Sequence, residues 1–327
     1  MRPEHLARLL VILGVLLPLV GAAIILLPPL GRNGEVIEVH ARVAEDGGWL
    51  PSELVVPAGT PLTLRLTSDD VVHGFAIGRS ETQAVEVLPG QYSELTLTFD
   101  RPGRYTYYCT RWCGPGHWRM RGTIEAQGGG ATPSSAAEPP YVRLGLDLDA
   151  PHPAPVVPER RPSAIGGEAL GIDLPAGLRG RAYYETHSPY QAFQSLREED
   201  SFSRLGDERV WDLVALLWRQ ATTARALEAG RALYAQNCAA CHGEGGGADG
   251  VMATSLPGSL GGADDAPGPA DLASLESMMG ARPALLHGKI LRGGMGTGMP
   301  YFGPIFTDGQ LWSLVDYLWT FTMEYEE

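Results

Sequence analysis

The four cysteines of this chain fall in two tight pairs, Cys109 with Cys113 and Cys238 with Cys241, and each pair has a histidine close behind it. Four cysteines are too few to hold a 327-residue chain together as a disulfide scaffold. Each pair therefore reads as part of a ligand set, and the fold has to present two such sets far apart in sequence. At roughly 150 residues per domain, a chain of this length makes about two domains plus connectors. Its 42 Gly and 26 Pro imply long irregular stretches, while 44% apolar and 19% charged residues exclude wholesale disorder. A formal charge of −13 argues against a nucleic-acid partner, whose phosphates need clustered Lys and Arg.

Leu9 to Leu27 is an uncharged run of nineteen residues, preceded by Arg2 and Arg8 and followed by Pro28 and Pro29. That length spans a bilayer, and it exceeds the usual apolar stretch of a cleaved signal peptide, about 7–15 residues. The expectation is an uncleaved membrane anchor with its N-terminus inside and the rest of the chain outside; a signal peptide or a buried helix are the competing readings.

From about Glu35 to Gln127 apolar residues alternate with polar ones, as in Leu62, Leu64, Leu66 and Leu95, Leu97, Phe99. Turn markers such as Pro89-Gly90 and Pro102-Gly103 separate the runs, so this part predicts a β-sandwich or barrel. A Gly run and many prolines follow, with no pattern that buries a core, and predict a linker. Helical patterns then cover Asp207–Arg219, Ala226–Asn237, Leu272–Met279, Arg282–Leu291 and Asp308–Phe321. One internal similarity stands out: Asp207–Trp218 reads DERVWDLVALLW and Asp308–Trp319 reads DGQLWSLVDYLW, with six identities in twelve positions. Two unrelated amphipathic helices would explain it, and so would a degenerate copy that has lost its ligands.

The first ligand set, Cys109-Thr-Arg-Trp-Cys113-Gly-Pro-Gly-His117-Trp-Arg-Met120, follows a strand pattern, and His73 lies upstream in another. Thiolate and thioether are soft ligands, which with imidazole select copper. Two thiolates four residues apart can bridge two coppers; zinc and a Cys109–Cys113 disulfide are the alternatives. Trp112, between the cysteines, reads equally as a docking aromatic for an electron donor or as packing. The second set, Cys238-Ala-Ala-Cys241-His242, suits two thioether bonds to haem with His242 as the iron ligand. Redox and zinc readings of the same motif exist. Met299, 57 residues after His242, lies in a segment that resembles the axial-ligand segment of class I cytochrome c, and that resemblance makes it the expected second axial ligand. Met295 is its rival, and Met252 lies too close in sequence.

The first set, with VVHGFAIG, VEVLPG and FDRPGRYTYYC before it, resembles the cupredoxin domain of cytochrome c oxidase subunit II, which carries the dinuclear CuA centre. The resemblance covers most of residues 50–126. It implies that Cys109 and Cys113 bridge two coppers, that His117 and Met120 complete one, and that His73 and the backbone oxygen of Arg111 complete the other. The usual Glu at position 111, which helps hold a magnesium ion, is here Arg, so that ion is not expected. Residues 225–327 resemble a class I cytochrome c domain with one covalent haem.

The fold class expected is therefore multidomain: a transmembrane anchor (1–33), an all-β cupredoxin domain (34–127), a Pro/Gly-rich linker (128–180), a helical extension or degenerate cytochrome copy (181–224) and an all-α cytochrome c domain (225–327). The resemblance implies a subunit of a haem–copper terminal oxidase in a bacterial cell membrane, single-pass, with its soluble domains on the periplasmic side. Electrons would pass from a cytochrome or small copper protein through haem and CuA to the catalytic subunit I, where oxygen is reduced. A nitric oxide reductase subunit and a stand-alone anchored carrier are the other readings. No general base or nucleophile of this chain is expected to act as a catalytic residue.

Overall fold

Alternation of buried and exposed residues is what makes the first part of the chain a pair of stacked sheets. The computed structural model describes residues 36–80, 84–114, 116–128, 138–253, 268–294 and 298–326. The chain divides into two compact units, one built on strands and one on helices. The anchor expected over residues 1–33 lies outside the described residues; among those described, no helix is long and apolar enough to cross a membrane.

The strands are β1 (Val36–Ala41), β2 (Trp49–Leu50), β3 (Glu53–Pro57), β4 (Pro61–Ser68), β5 (His73–Ile77), β6 (Val85–Val87), β7 (Ser93–Thr98), β8 (Gly103–Cys109) and β9 (Arg121–Gln127). They form a four-stranded sheet in the order β2-β1-β4-β7 and a five-stranded sheet in the order β3-β9-β8-β5-β6. The pairs β1–β4 and β3–β9 are parallel, which a simple up-and-down meander does not give; the other pairs are antiparallel. Leu62, Leu64 and Leu66 all point into the core between the sheets, as their alternation predicts. β5 is buried along its whole length, between β8 and β6 in its sheet. Phe75 of β5 lies opposite Cys109, the last residue of β8. The start of β5, the end of β8 and the start of β9 therefore meet at one edge of the sandwich, and that edge carries the first ligand set.

The helical unit contains α1 (Pro140–Arg143), α2 (Ala164–Ala169), α3 (Arg181–Thr186), α4 (Pro189–Glu198), α5 (Asp207–Gln220), α6 (Ala224–Asn237), α7 (Ala239–His242), α8 (Leu275–Met278), α9 (Pro283–Arg292) and α10 (Asp308–Leu318). Reciprocal capping boxes start α4, through Ser188 and Gln191, and α10, through Thr307 and Gln310. The described part of 128–180 is not the unpacked linker expected from its prolines. Leu148, Ala164 and Leu174 are buried, and Tyr141 and Leu148 close over Gly288 of α9 so tightly that a Cβ there would lie 2.7–2.8 Å from them. Short Pro-delimited segments bury one side chain at a time, which leaves no periodic stripe to detect.

Two helix pairs are built alike. α6 crosses α10 at Gly230, where a Cβ would overlap the carbonyl of Ser313; α2 crosses α5 at Gly167, where a Cβ would overlap the carbonyl of Asp212. Asp212 and Ser313 are the sixth residues of the two similar twelve-residue segments. The twelfth residues, Trp218 and Trp319, meet edge to face at 6.0 Å. The correspondence extends to the preceding helices: α4 and α9 both begin with proline, and their fifth residues, Phe193 and His287, pack on the fifth residues of the two segments, Trp211 at 4.4 Å and Trp312 at 4.6 Å. Between the halves, the buried carboxylate of Asp316 accepts hydrogen bonds from Arg181, Tyr184 and Thr222.

Candidate functional site

The edge where β5, β8 and β9 meet gathers five of the expected ligands. Cys109 ends β8, and its amide donates to the carbonyl of Met120, which immediately precedes β9, at 3.1 Å. The loop between them turns at Gly114 and at Gly116, whose φ of 71° favours glycine, and carries Cys113 and then His117 in a 3-10 turn. The Cys109 and Cys113 sulfurs lie 4.0 Å apart, far beyond a disulfide bond, and none of the four cysteines is in a disulfide. Nδ1 of His73 is 3.7 Å from the Cys109 sulfur, Nδ1 of His117 is 3.5 Å from the Cys113 sulfur, and the Met120 sulfur is 3.2 Å from the latter. The donor atoms of His73, Cys109 and Cys113 all lie within 4.8 Å of one another. Arg111 stands in the same loop with its side chain exposed, and Trp112 is 40% exposed.

The thiols are strongly coupled. Cys109 is held far below the ordinary thiol range, first by the S–H of Cys113 and then, against burial, by His117 and His73; Cys113 is driven up in return. The cluster thus already favours a thiolate. Burial disfavours charge on His73, but Cys109 and Asp70 outweigh it and raise its pKa. Asp70, which the sequence alone does not single out, joins this cluster through His73. Its Oδ1 accepts from His73 Nε2 at 2.8 Å, which turns Nδ1 toward the sulfurs, and its Oδ2 accepts from the Val43 amide at 2.6 Å. A carboxylate fixing the far nitrogen of a histidine is how metal-ligating imidazoles are commonly oriented. The only sequence signal for it is an acid three residues before a histidine at the start of a strand.

The second set surrounds two adjoining cavities, of about 420 and 350 Å³, which share Cys238, His242, Ala270, Lys289 and Met299. Cys241 lines the second of them. Leu272, Met278, Leu286, Ile290, Leu314 and Leu318 give the first its apolar wall. His242 donates from Nδ1 to the Ala270 carbonyl at 2.9 Å, leaving Nε2 for a metal, and desolvation lowers its pKa, so the ring stays neutral. Burial pushes Cys238 up to about 12 and raises Cys241. That opposes the reading as a redox dithiol, whose reactive cysteine needs a lowered pKa. Met252 is buried and lines neither cavity, and Met295 lies outside the described residues. An apolar cavity with two cysteines, a neutral histidine and a methionine on its wall fits haem; the soft donor set at the sheet edge fits copper.

Residues 48–127 match the family described as cytochrome c oxidase subunit II, periplasmic domain, and residues 225–318 match cytochrome c oxidase, cbb3-type, subunit III. The chain thus carries a stretch that matches the subunit II periplasmic family, followed by one that matches a cytochrome c family. A cytochrome c oxidase subunit 2 of Thermus thermophilus is 44% identical over 77 residues, 24% of this chain and 56% of the relative. A heme-copper oxidase subunit 2 of Aeropyrum pernix is 38% identical over 73 residues, 22% of this chain and 31% of that protein. The solved periplasmic domain of subunit II of cytochrome oxidase from Bradyrhizobium japonicum is 19% identical, covers 30% of this chain and 86% of its own, and gives a TM-score of 0.26. The chain spans about half the length of the Thermus relatives. A subunit II domain implies a copper centre and a cytochrome c domain implies haem, and the two ligand clusters lie one in each.

Proposed function

We propose that this chain is the electron-accepting subunit of a haem–copper terminal oxidase, taking electrons from an external donor and delivering them to a catalytic subunit that reduces oxygen. The observation that carries the reading is that one chain holds both ligand clusters, each inside the domain whose family uses it. Copper and haem, when bound, supply one-electron carriers. Cys109 and Cys113 would hold two coppers between them, with His117 and Met120 on one side and His73 and the Arg111 carbonyl on the other. Cys238 and Cys241 would bind one haem covalently, and His242 and Met299 would supply its iron with an imidazole and a thioether. A single-pass anchor at the N-terminus would place both domains on the periplasmic face of a bacterial membrane. Residues 181–224, with α2 before them, are, in this reading, a degenerate cytochrome copy: they keep counterparts of three helices, with their crossing glycine and paired tryptophans, but lack a Cys-x2-Cys-His segment.

Metal analysis and a haem stain on denaturing gels should give two coppers and one covalent haem per chain. The purified complex should consume oxygen with a reduced donor. One copper with an ordinary blue-copper spectrum refutes the dinuclear reading, and consumption of nitric oxide in place of oxygen refutes the oxidase reading in favour of a nitric oxide reductase.

A further inference from the structure

Trp49 is, among the described residues, the one indole of the strand unit's core, 1% exposed, and it comes from β2 in the opposite sheet to the ligands. Gly47 and Gly48, with φ of 110° and 68°, make the turn that delivers it. Its Nε1–H donates to the carbonyl of Met120 at 3.1 Å, the same oxygen that accepts the Cys109 amide at 3.1 Å. Its ring lies 6.3 Å from the His73 ring and edge-on to Phe75 at 5.4 Å and Tyr107 at 5.9 Å. The equally buried Trp211, Trp218 and Trp319 have indole nitrogens without a partner, so burial alone does not force an indole onto an acceptor in this chain. Trp49 is bonded, and to the backbone of a ligand.

We propose that Trp49 is a positioning residue of the copper centre, fixing the thioether of Met120 relative to Cys109 and His73. A carbonyl oxygen has two lone pairs, and here both are taken, one by each of two rigid donors. That fixes the peptide plane beside the Met120 side chain, while the indole ring lies tilted at 56° beside His73. Removing the N–H frees one lone pair in the core, and the plane can tilt. A thioether held less firmly against copper stabilises the oxidised state less, so the reduction potential rises, since the axial ligand is a main lever on that potential. The inference rests on the copper reading given above.

The test uses the full chain loaded with copper and haem, followed by the copper electron paramagnetic resonance signal and the potential at which it disappears. Trp49→Phe keeps the ring packing and removes the donor. It should retain wild-type copper content, raise the copper potential and alter the hyperfine pattern. Met120→Leu should move the potential further in the same direction, and the double variant should move it no further than Met120→Leu alone. Tyr107→Phe removes a neighbouring bond, from the Tyr107 hydroxyl to the Pro51 carbonyl, and should leave the copper signature unchanged. An unchanged signature in Trp49→Phe, additive shifts in the double variant, or an equal shift in Tyr107→Phe overturns the assignment. Failure of the wild-type chain to bind a copper pair overturns instead the reading beneath it.

Discussion

Asp70→Asn is the substitution whose effect on the copper cluster can be worked most directly from the geometry. Oδ1 of Asp70 accepts from His73 Nε2 at 2.8 Å and from the Val71 amide at 2.6 Å, and Oδ2 accepts from the Val43 amide at 2.6 Å. These three partners, and the Ser68 hydroxyl that reaches Oδ1 at 3.3 Å, are donors, so an amide cannot satisfy them in either orientation. Keeping the oxygen toward His73 leaves an NH2 facing the Val43 N–H. The His73 bond also changes from charge-assisted to neutral, from about 1.5–3 kcal/mol to about 1 kcal/mol. A loss of about 1–2 kcal/mol on the metal-bound state corresponds to roughly 5- to 30-fold weaker copper binding at 1.4 kcal/mol per tenfold. This overlaps the range of about 10–100-fold for removal of such supporting partners. Competition against a chelator of known affinity at neutral pH, with circular dichroism to check the fold, measures it. Affinity within a factor of about two of wild type, in a folded protein, would show that packing against Trp49 and Phe75 orients His73 without the carboxylate.

Gly230→Ala and Gly167→Ala should each destabilise the helical unit by about 1–3 kcal/mol, because backbone overlap outweighs the helical preference of alanine; Gly309→Ala, whose Cβ meets nothing within 4 Å, should instead be neutral or stabilise by up to about 1 kcal/mol. Urea unfolding followed by far-ultraviolet circular dichroism distinguishes the three, and equal stabilities would refute the crossing argument. Asp316→Ala leaves the buried Tyr184 and Thr222 hydroxyls without their acceptor and Arg181 with only Glu185 and the Ala221 carbonyl, and should cost about 2–3 kcal/mol, at or below the usual range for a broken buried pair because Arg181 is a third exposed and keeps a carboxylate; a loss under about 1 kcal/mol contradicts it. His40 bonds Asp69 and Glu38, and its pKa is raised, first by the bond to Asp69. Its charged form therefore stabilises the strand unit fully below the unfolded value of about 6.5, and this is lost as pH rises through the higher folded value. At the acid end it is lost again as pH falls through the lowered values of Asp69 and Glu38. His40→Gln should flatten the fall in melting temperature above about pH 6.5; an unchanged slope refutes the coupling.

Residues whose chemistry is concentrated in a short motif are legible in the sequence itself. Cys109, Cys113, His117 and Met120 lie within one turn-rich loop, so sequence spacing fixes most of their geometry, and Cys238, Cys241 and His242 are nearly contiguous. His73 and Met299 are reachable only through resemblance, because the sheet and the cavity wall bring them in from far along the chain. Trp49 is invisible in the sequence for a physical reason: it sits in a two-residue strand after two glycines, where no alternation can develop, and its importance comes from a bond to a carbonyl seventy-one positions away. α4 escapes a search for helical periodicity because its start is marked by Ser188 and Pro189 rather than by a long apolar stripe, and beyond that proline its buried face is only Ala192, Phe193 and Leu196.

The contact of Trp218 with Trp319 places like residue against like, which is the signature of a two-fold interface between identical subunits. Here both sides belong to one chain, so association does not depend on concentration and the two sides are free to diverge in sequence. An oligomer of identical subunits cannot lose a cofactor from one member and keep it in the next, because every copy carries the same mutation. A covalent pair can. One side carries cysteines, histidine and methionine around a cavity, while the other carries the interface without those ligands, with Phe193 stacked on Trp211 where His287 meets Trp312. On the reading of that half as a cytochrome copy proposed above, this second side is a permanently docked partner whose remaining part is the surface it offers to the other half.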